Sequence, residues 1–372
     1  MKYYIIAGEA SGDMHAANLM TEIKLRDHQA EFRCWGGDRM QAAGATLVRH
    51  YRDLAFMGFT EVIMNLRTIL KNIRFCKSDI QEWKPDVVIL VDYPGFNLRI
   101  AGFAKQQGIK TFYYISPQVW AWKQSRVYQI KKVVDRMFVI LPFEKEFYNR
   151  FDYPVDFVGH PLLDEIEKFS KGDEWLKKNN LAGSPVIALL PGSRKQEVET
   201  MLPLMLTLVD RFPDARFAIG TAPSLPAAFY RQMIGNKNVA LIENQTYDLL
   251  NHADAALVTS GTATLETALF GVPEVVCYKG GKVSYMIARS LVKVKYISLV
   301  NLIMDKEVVK ELIQDELNAK QLYEELKSLL EDKEKAAIMK QEFHALREKL
   351  GGHGASSKTA ALMVQYLQAE NA

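Results

Sequence analysis

The stretch Val87-Val88-Ile89-Leu90-Val91, preceded by Lys84-Pro85-Asp86 and followed by Asp92, decides the fold class. Such an apolar run between polar residues is typical of a strand that is buried on both faces, as in a parallel sheet. The other predicted strands are Tyr3–Ala7, Thr111–Ile115, Arg136–Leu141, Phe157–Val158, Val186–Leu190, Ala215–Ile219, Val239–Ile242, Ala255–Val258 and Glu274–Tyr278. Helical patterns separate most of them, which predicts parallel sheets with right-handed crossovers.

The strands form two sets, and the chain of 372 residues is long enough for two or three domains. We predict two doubly wound α/β domains, over residues 1–165 and 166–345, followed by a helical tail over 346–372. Ligands of such sheets bind beyond the carboxyl ends of the strands. We therefore expect an interdomain cleft to hold the functional site.

Composition argues against several classes of function. The net charge of +3 is small and the basic residues form no run, so we expect no nucleic-acid partner. The three cysteines, Cys34, Cys76 and Cys277, have no metal or redox spacing, as in proteins of a reducing cytoplasm. No Asp-x-Asp pair occurs, so we expect no metal, and no motif indicates a cofactor. No run approaches the roughly 20 apolar residues of a membrane span, so we expect any membrane contact to be peripheral.

The turn Ala7–Asp13 directly follows the first predicted strand. Its small residues allow a ligand to approach the backbone, and the helix that follows favours an anion at its N-terminus. The alternative is a tight turn in which Ser11 or Asp13 is the N-cap. The two carboxylates, Glu9 and Asp13, favour a functional role.

Asp92 ends the strand Val87–Val91, where we expect its carboxylate to point into the cleft. A carboxylate at this position is able to accept a proton from an acceptor hydroxyl. The alternative is a turn residue that bonds to local amides ahead of Pro94-Gly95. The residues themselves leave both interpretations open.

Two tryptophans, Trp120 and Trp122, lie in the loop after the strand Thr111–Ile115. Aromatic faces suit sugar rings and acyl chains. Packing of the indole rings against a helix predicted at Ser125–Val134 is the alternative.

Leu190-Pro191-Gly192-Ser193-Arg194 forms the first turn of the second domain and precedes a helix predicted at Lys195–Leu208. A guanidinium at this position is able to neutralise the charge on a departing diphosphate. The alternative is a surface arginine at a helix start.

The segment Thr259–Glu266 follows the strand Ala255–Val258. Serine, glycine and threonine at a helix N-terminus present amides and hydroxyls to a phosphate. Glu266 lies about one turn further on, where it is able to bind both ribose hydroxyls. A helix N-cap with an acidic first turn is the alternative.

A helix is predicted over Thr60–Ile80, with one apolar face and a basic stripe formed by Arg67, Lys71 and Arg74. The apolar residues Phe56, Met57 and Phe59 lie just before it. Such a helix is able to rest on an anionic membrane surface. An ordinary amphipathic helix that faces the core is the alternative.

Together these motifs resemble the lipid-A-disaccharide synthase family. The resemblance rests on their order and spacing, and it extends over Leu141–Tyr148 and Lys293–Asn301, from about residue 3 to about residue 316. It implies a GT-B fold of two Rossmann-like domains, with a C-terminal tail that crosses back to the first. It also implies transfer of 2,3-diacylglucosamine from UDP to 2,3-diacylglucosamine 1-phosphate (lipid X), at the cytoplasmic face of a Gram-negative inner membrane.

The family resemblance implies a role for each candidate residue. Asp92 is the leading candidate for the base, with Glu9 as the second candidate. The turn after Asp92 reads Tyr-Pro-Gly, where some members have a second acidic residue. The acceptor side is predicted to comprise Ser11, Gly12, Asp13, Trp120 and Trp122. The UDP-sugar side is predicted to comprise Arg194, Ser260, Gly261, Thr262, Ala263, Thr264, Glu266, Asn301 and Gln314.

Two other interpretations are compatible with the same motifs. A UDP-N-acetylglucosamine 2-epimerase would bind the same nucleotide without a membrane surface. A non-catalytic nucleotide-sugar-binding protein would keep the Ser260–Glu266 turn but would have no use for Asp92. The sequence is also compatible with a homodimer.

Overall fold

The computed structural model of the protein describes residues 1–53, 66–169, 172, 174–281 and 294–369. The chain divides into two compact units. The first comprises Met1–Asp164 and Leu350–Ala372, and the second comprises Glu165–Lys349. Residues 350–369 therefore belong to the first unit, although they come last in the sequence.

The strands of the first unit are β1 (Lys2–Ala7), β2 (Glu31–Gly36), β3 (Thr46–His50), β4 (Val87–Val91), β5 (Lys110–Tyr114), β6 (Arg136–Val139) and β7 (Asp156–Phe157). Its helices before Asp164 begin with α1 (Ala10–Lys24), α2 (Asp38–Ala42), α3 (Leu66–Trp83), α4 (Pro94–Gln106), α5 (Val119–Trp122), α6 (Arg126–Val133) and α7 (Pro142–Asn149). Helix α8 (Leu162–Lys168) begins in the first unit and ends in the second.

The strands of the second unit are β8 (Val186–Leu190), β9 (Arg216–Gly220), β10 (Val239–Ile242), β11 (Ala255–Thr259), β12 (Glu274–Tyr278) and β13 (Lys310–Ile313). Its further helices are α9 (Trp175–Lys178), α10 (Lys195–Leu206), α11 (Ala227–Ile234), α12 (Thr246–His252), α13 (Thr262–Leu269), α14 (Leu299–Met304), α15 (Ala319–Glu331) and α16 (Lys333–Lys349). Helix α17 (Ala355–Ala369) returns to the first unit.

Each unit is built on one parallel sheet, in agreement with the predicted fold class. The strand order is β3-β2-β1-β4-β5-β6-β7 in the first sheet and β10-β9-β8-β11-β12-β13 in the second. The central strands β4, β8 and β11 are buried along their whole length, as expected where helices cover both faces. In each order the direction of winding reverses once, between β1 and β4 and between β8 and β11. Such switch points are where doubly wound sheets bind ligands.

Three strands were not predicted, namely β2, β3 and β13. Strands β3 and β13 are at sheet edges, where side chains are only partly covered, and both contain charged residues. Strand β2 contains Arg33, whose guanidinium pairs with the buried carboxylate of Asp79. Because charged residues interrupt the apolar runs, these strands lack the pattern by which a buried strand is predicted.

The C-terminal helix α17 packs closely on α1 within the first unit. Buried residues such as Ala360, Met363 and Leu367 line one side of it. The carboxylate of Asp164 accepts hydrogen bonds from the backbone N–H groups of Gly354 and Ser356 at its N-terminus. This end of the chain is therefore part of the core of the first unit.

Candidate active site

Glu9 and Asp92 lie at the switch point of the first sheet. Glu9 follows β1, Asp92 follows β4, and these two strands are hydrogen-bonded neighbours. Ala7 pairs with Val91, so Glu9 and Asp92 follow neighbouring strand ends, and burial and then the charge of Glu9 raise the pKa of Asp92. The structure thus brings together the two predicted candidates for the base.

The backbone at Asp92 is in an uncommon conformation. Asp92 and Tyr93 both have left-handed φ angles, of 43° and 49°. This region is tolerated by aspartate but is an outlier for a bulky residue such as tyrosine. The Tyr93 ring covers Gly8, and a Cβ at Gly8 would lie 2.3 Å from the Tyr93 Cγ. Glycine is required at position 8 for this close approach.

The pKa of Asp92 lies above the ordinary range of a carboxyl group. Burial, and secondly the charge of Glu9, raise its pKa to about 6, while a hydrogen bond from the Tyr93 N–H opposes this shift. A general base works best when its pKa is near the operating pH. The half-buried Asp92 therefore has the properties expected of a base.

On the predicted acceptor side, only part of the first turn faces solvent. Ser11 is exposed, whereas Gly12 and Asp13 are buried. The Asp13 carboxylate accepts hydrogen bonds from the N–H groups of Gly37, Arg39 and Met40. This corrects the predicted ligand role for Gly12 and Asp13, because Asp13 anchors the start of α2 and Gly12 packs against β1.

The two tryptophans differ in exposure. Trp120 is 7% exposed and packs edge-on against Phe143 at a centroid distance of 4.9 Å. Its predicted acceptor contact is corrected to a packing role. Trp122 is 49% exposed, and the Arg126 guanidinium lies 4.9 Å from its ring centroid. Trp122 therefore keeps a surface that a ligand is able to contact.

The donor-side motifs lie at the switch point of the second sheet. The turn Leu190–Arg194 follows β8, the turn Ser260–Thr262 follows β11, and these strands are neighbours. Both turns are therefore at the position where a doubly wound sheet binds its ligand. The two turns are at neighbouring strand ends because β8 and β11 pair in the sheet. The sequence motifs alone do not predict this pairing.

Glu197, which was not among the predicted site residues, shapes the first of these turns. Its carboxylate accepts hydrogen bonds from the N–H groups of Ser193 and Arg194, at 3.0 and 3.2 Å. Gly192 has a φ of +117°, and a Cβ there would lie 2.7 Å from the Glu197 Cβ. The glutamate three residues after the N-cap is the sequence feature that indicates this arrangement. The Arg194 side chain lies beside Glu197 and is 64% exposed.

The N-terminus of α13 is the more suitable of the two turns for a phosphate. Its N-cap is Gly261, which has no side chain to bond to the first turn of the helix, whereas the carboxylate of Glu197 already occupies the start of α10. Gly261 and Thr262 are exposed, and Ala263 is half-buried. Backbone N–H groups at an uncapped helix N-terminus attract anions.

Two hydroxyls of this turn bond to the chain itself. Thr264 is fully buried and its hydroxyl donates to the Gly261 carbonyl at 2.9 Å. Its predicted contact with the donor is therefore corrected to a structural role. The Ser260 hydroxyl donates to the Ile297 carbonyl at 3.0 Å, which connects the turn to the loop before α14.

Glu266 is half-buried and has a defined partner. Its carboxylate accepts a hydrogen bond from the Tyr247 hydroxyl at 3.1 Å. Burial raises the pKa of Glu266, and the Tyr247 bond opposes the shift. The Tyr247 ring in turn contacts Phe270 at a centroid distance of 5.2 Å. Tyr247 thus fixes the orientation of the Glu266 carboxylate. Tyr247 was not among the predicted site residues.

The side chain of Asn301 is hydrogen-bonded to other groups of the chain. It is fully buried, and its side-chain oxygen accepts hydrogen bonds from the N–H groups of Val308 and Val309. Its amide nitrogen donates to Glu311 at 2.9 Å. The predicted contact of Asn301 with the donor is therefore corrected.

Glu311 is the centre of this network and was also missed. Its carboxylate accepts hydrogen bonds from the N–H groups of Ile297 and Ser298 and from the Ser298 hydroxyl. Ile297 is the residue whose carbonyl bonds to Ser260. Glu311 therefore supports the turn that precedes α13 through a chain of hydrogen bonds.

Gln314 also pairs with the backbone. In the amide orientation that satisfies both groups, its side chain bonds to the N–H and carbonyl of Gly280 at 3.2 Å. Gln314 has a left-handed φ of 55°. The contact of Gln314 with the donor stays a prediction, and its side chain pairs with the segment that follows β12.

The predicted membrane helix is described only in part. Phe56, Met57 and Phe59 lie outside the described residues, as does the start of the predicted helix. Arg67, Lys71 and Arg74 are exposed on α3. Over the ranges that the structure describes, no helix is long and apolar enough to span a membrane. Likewise, no cluster of three or more potential metal-binding side chains is found among the described residues.

Two doubly wound sheets with polar turns at both switch points define the GT-B class. Solved structures of that class have the same fold. The UDP-GlcNAc 2-epimerase of Neisseria meningitidis, bound to UDP-GlcNAc, is similar with a TM-score of 0.65 and 16% identity, over 99% of this chain and 100% of that one. The glycosyltransferase of kitacinnamycin is similar with a TM-score of 0.66 and 15% identity, over 98% of both chains.

Sequence comparison identifies the family within this class. The chain belongs to the lipid-A-disaccharide synthetase family, whose model matches residues 3–365. The lipid-A-disaccharide synthase of Syntrophus aciditrophicus is 42% identical, over 98% of this chain and 97% of the relative. That of Nitrosococcus oceani is 41% identical, over 99% and 96%. The predicted family is confirmed, and the likeness to epimerases reflects the shared fold alone.

Proposed function

We propose that the protein joins UDP-2,3-diacylglucosamine to 2,3-diacylglucosamine 1-phosphate (lipid X), releasing UDP and a β-1,6-linked disaccharide 1-phosphate. Family membership over residues 3–365 supports this reaction. The structural observation that carries it is the carboxylate of Asp92 at the switch point of the first sheet, with a pKa raised to about 6.

The proposed chemistry is one direct displacement with inversion. The acceptor 6-hydroxyl gives its proton to Asp92 as its oxygen forms a bond to C1 of the donor sugar. The bond between C1 and the diphosphate oxygen breaks, and UDP leaves with the electron pair. Asp92 then returns the proton to solvent. The half-buried position of Glu9 beside Asp92 supports a role in raising the pKa of the base.

The second unit is proposed to hold the UDP. The uncapped N-terminus of α13 suits the diphosphate, and the exposed guanidinium of Arg194 adds a positive charge that stabilises the leaving group. Glu266, oriented by Tyr247, is placed about one turn into α13 to accept hydrogen bonds from the ribose hydroxyls. Ser11 and Trp122 are the exposed residues proposed for the acceptor side.

Acyl chains on both substrates require a membrane or micelle. We assign the exposed basic stripe of α3, which comprises Arg67, Lys71 and Arg74, to contact with the anionic inner-membrane surface. Attraction of basic side chains to anionic lipids supports a peripheral attachment of this kind. The interdomain cleft and a homodimer remain predictions from the sequence.

A turnover assay in detergent micelles tests the proposed function. The two acylated substrates are expected to yield disaccharide and UDP in equal amounts, and omission of the acceptor is expected to abolish UDP release. A parallel incubation with UDP-N-acetylglucosamine alone tests the epimerase alternative. Epimerisation there, without disaccharide formation in the first assay, would overturn the proposal.

A further inference from the structure

The backbone carbonyl of Asp92 receives two hydrogen bonds from buried side chains. The Tyr113 hydroxyl on β5 donates one, and the Asn97 side-chain nitrogen on α4 donates the other at 2.7 Å. Both residues are fully buried. Burial raises the pKa of Tyr113 well above its ordinary value, so the hydroxyl remains protonated and able to donate.

The same residue is held on its other side as well. The Asp92 N–H donates to the Tyr114 carbonyl at 3.2 Å. Two consecutive left-handed residues, Asp92 and Tyr93, persist only where the surroundings determine their conformation. The hydrogen bonds to the N–H and to the carbonyl of Asp92 hold its backbone in this conformation. They fix the direction in which its Cα–Cβ bond, and therefore its carboxylate, points.

We propose that Tyr113 and Asn97 are positioning residues, which hold the Asp92 backbone in the left-handed conformation that aims its carboxylate at the acceptor hydroxyl. This inference rests on the proposed function, in which Asp92 is the base. Both side chains contact Asp92 at its backbone carbonyl oxygen. Their effect on catalysis is therefore through orientation of Asp92.

The substitution Tyr113→Phe removes one of the two donors to the Asp92 carbonyl and keeps the aromatic ring. We expect kcat to fall roughly 10- to 100-fold, because small displacements of a catalytic group have effects of that size. KM for both substrates is expected to stay within roughly twofold, since ground-state binding is not altered. Asn97→Ala removes the other donor and is expected to act in the same direction.

Tyr153→Phe is the matched control. Tyr153 is also buried, and its hydroxyl donates to a backbone carbonyl, that of Val134, at 3.0 Å. Val134 precedes β6 and so lies at the amino end of a strand, away from the switch point. This variant is expected to keep the kcat of the unsubstituted protein. Equal kcat values for Tyr113→Phe and Tyr153→Phe would overturn the positioning role.

A double-substitution cycle separates positioning from a general structural effect. If Tyr113 acts through Asp92, Tyr113→Phe causes no further loss in an Asp92→Asn background. Losses that multiply would show that Tyr113 acts independently and would overturn the inference. If Asp92→Asn is inactive while Tyr113→Phe is fully active, only the positioning role fails. If Asp92→Asn is fully active, the base assignment of the proposed function fails, and the positioning role fails with it.

Discussion

Asp92 has a left-handed conformation that few residue types tolerate, so the choice of substitution matters. Asparagine is enriched in this region in the same way as aspartate, and it has nearly the same shape. Asp92→Asn should therefore keep the backbone and remove only the proton acceptor. We expect kcat to fall by roughly 10²-fold or more, the contribution typical of general base catalysis.

The measurement is steady-state turnover in micelles, with a urea unfolding curve as the control for folding. An unaltered unfolding midpoint together with the expected loss of kcat supports the role of Asp92. Turnover equal to that of the unsubstituted protein would remove Asp92 as the base and leave Glu9 as the candidate.

The pair formed by Glu9 and Asp92 also predicts a pH dependence. Because the pKa of Asp92 is raised to about 6, its ionised form in the free protein is lost as the pH falls through about 6, and kcat/KM should fall with it. Glu9→Gln removes a negative charge that disfavours ionisation of Asp92. The pKa of Asp92 should then decrease, and the acid limb of the kcat/KM profile should move to lower pH.

The control for this shift is Glu22→Gln, which makes the same change in net charge near the other end of α1. Glu22 pairs with Arg26. The Glu22→Gln variant is expected to leave the acid limb in place. An acid limb that stays fixed in Glu9→Gln, or moves to higher pH, would contradict the assignment of the pKa to this pair.

Among the elements, helix α3 has two different faces. Ile73, Cys76 and Ile80 are buried, in agreement with the amphipathic pattern. The exposed surface includes Leu70 and Phe75, which are 42% and 43% exposed. Apolar side chains on the surface beside basic ones are the combination expected of a helix that contacts a lipid headgroup region.

Charge reversal tests this surface. Replacement of Arg67, Lys71 and Arg74 by glutamate should weaken binding to anionic vesicles by at least roughly 100-fold, because each basic residue near such a surface contributes about 1 kcal/mol and the new negative charges are repelled. The measurement is co-sedimentation with vesicles that contain phosphatidylglycerol.

A second triple variant controls for net charge. Lys333, Lys340 and Arg347 are exposed on α16, and their replacement by glutamate makes the same change in total charge. This variant is expected to bind vesicles almost as well as the unsubstituted protein. Equal weakening in both triple variants would show that net charge, and not the surface of α3, determines binding.

At the scale of the whole molecule, the C-terminal segment Leu350–Ala372 belongs to the first unit. Its attachment is expected to contribute to the free energy of unfolding. The Asp164 carboxylate accepts three backbone hydrogen bonds at the start of α17, from Gly354, Ala355 and Ser356. Asp164→Ala removes this cap at a buried site. We expect a loss of about 1–2 kcal/mol in the free energy of unfolding, measured by urea denaturation.

An exposed cap provides the comparison. The Asp332 carboxylate accepts a hydrogen bond from the Lys335 N–H at 2.9 Å, at the exposed start of α16. Because water is able to replace that bond, Asp332→Ala should cost less than Asp164→Ala. A loss from Asp164→Ala no larger than that from Asp332→Ala would show that docking of α17 does not depend on the buried cap.

The sequence by itself determined the parallel α/β architecture and the position of the main turns. Strands such as β4, β8 and β11 are continuous apolar runs because both of their faces are covered, and this is a local property that can be read directly. Asp92 and Ser260 were placed correctly at strand ends for the same reason. Strand β3 was missed because partial exposure at a sheet edge allows a charged residue in it. Strand β13 was missed because it contains Lys310 and Glu311, and the buried Glu311 carboxylate is satisfied by hydrogen bonds.

The tertiary structure was needed to show which polar side chains of these motifs are hydrogen-bonded within the chain itself. Asp13, Thr264 and Asn301 are residue types that also bind ligands, but here their hydrogen-bond partners are other groups of this chain. The strand order, which places Asp92 and Glu9 at neighbouring strand ends, could not be predicted from the sequence. The raised pKa of Asp92 could not be predicted for the same reason. Hydrogen-bond partners, burial and charge proximity depend on residues that are distant along the chain, and folding alone brings those residues together.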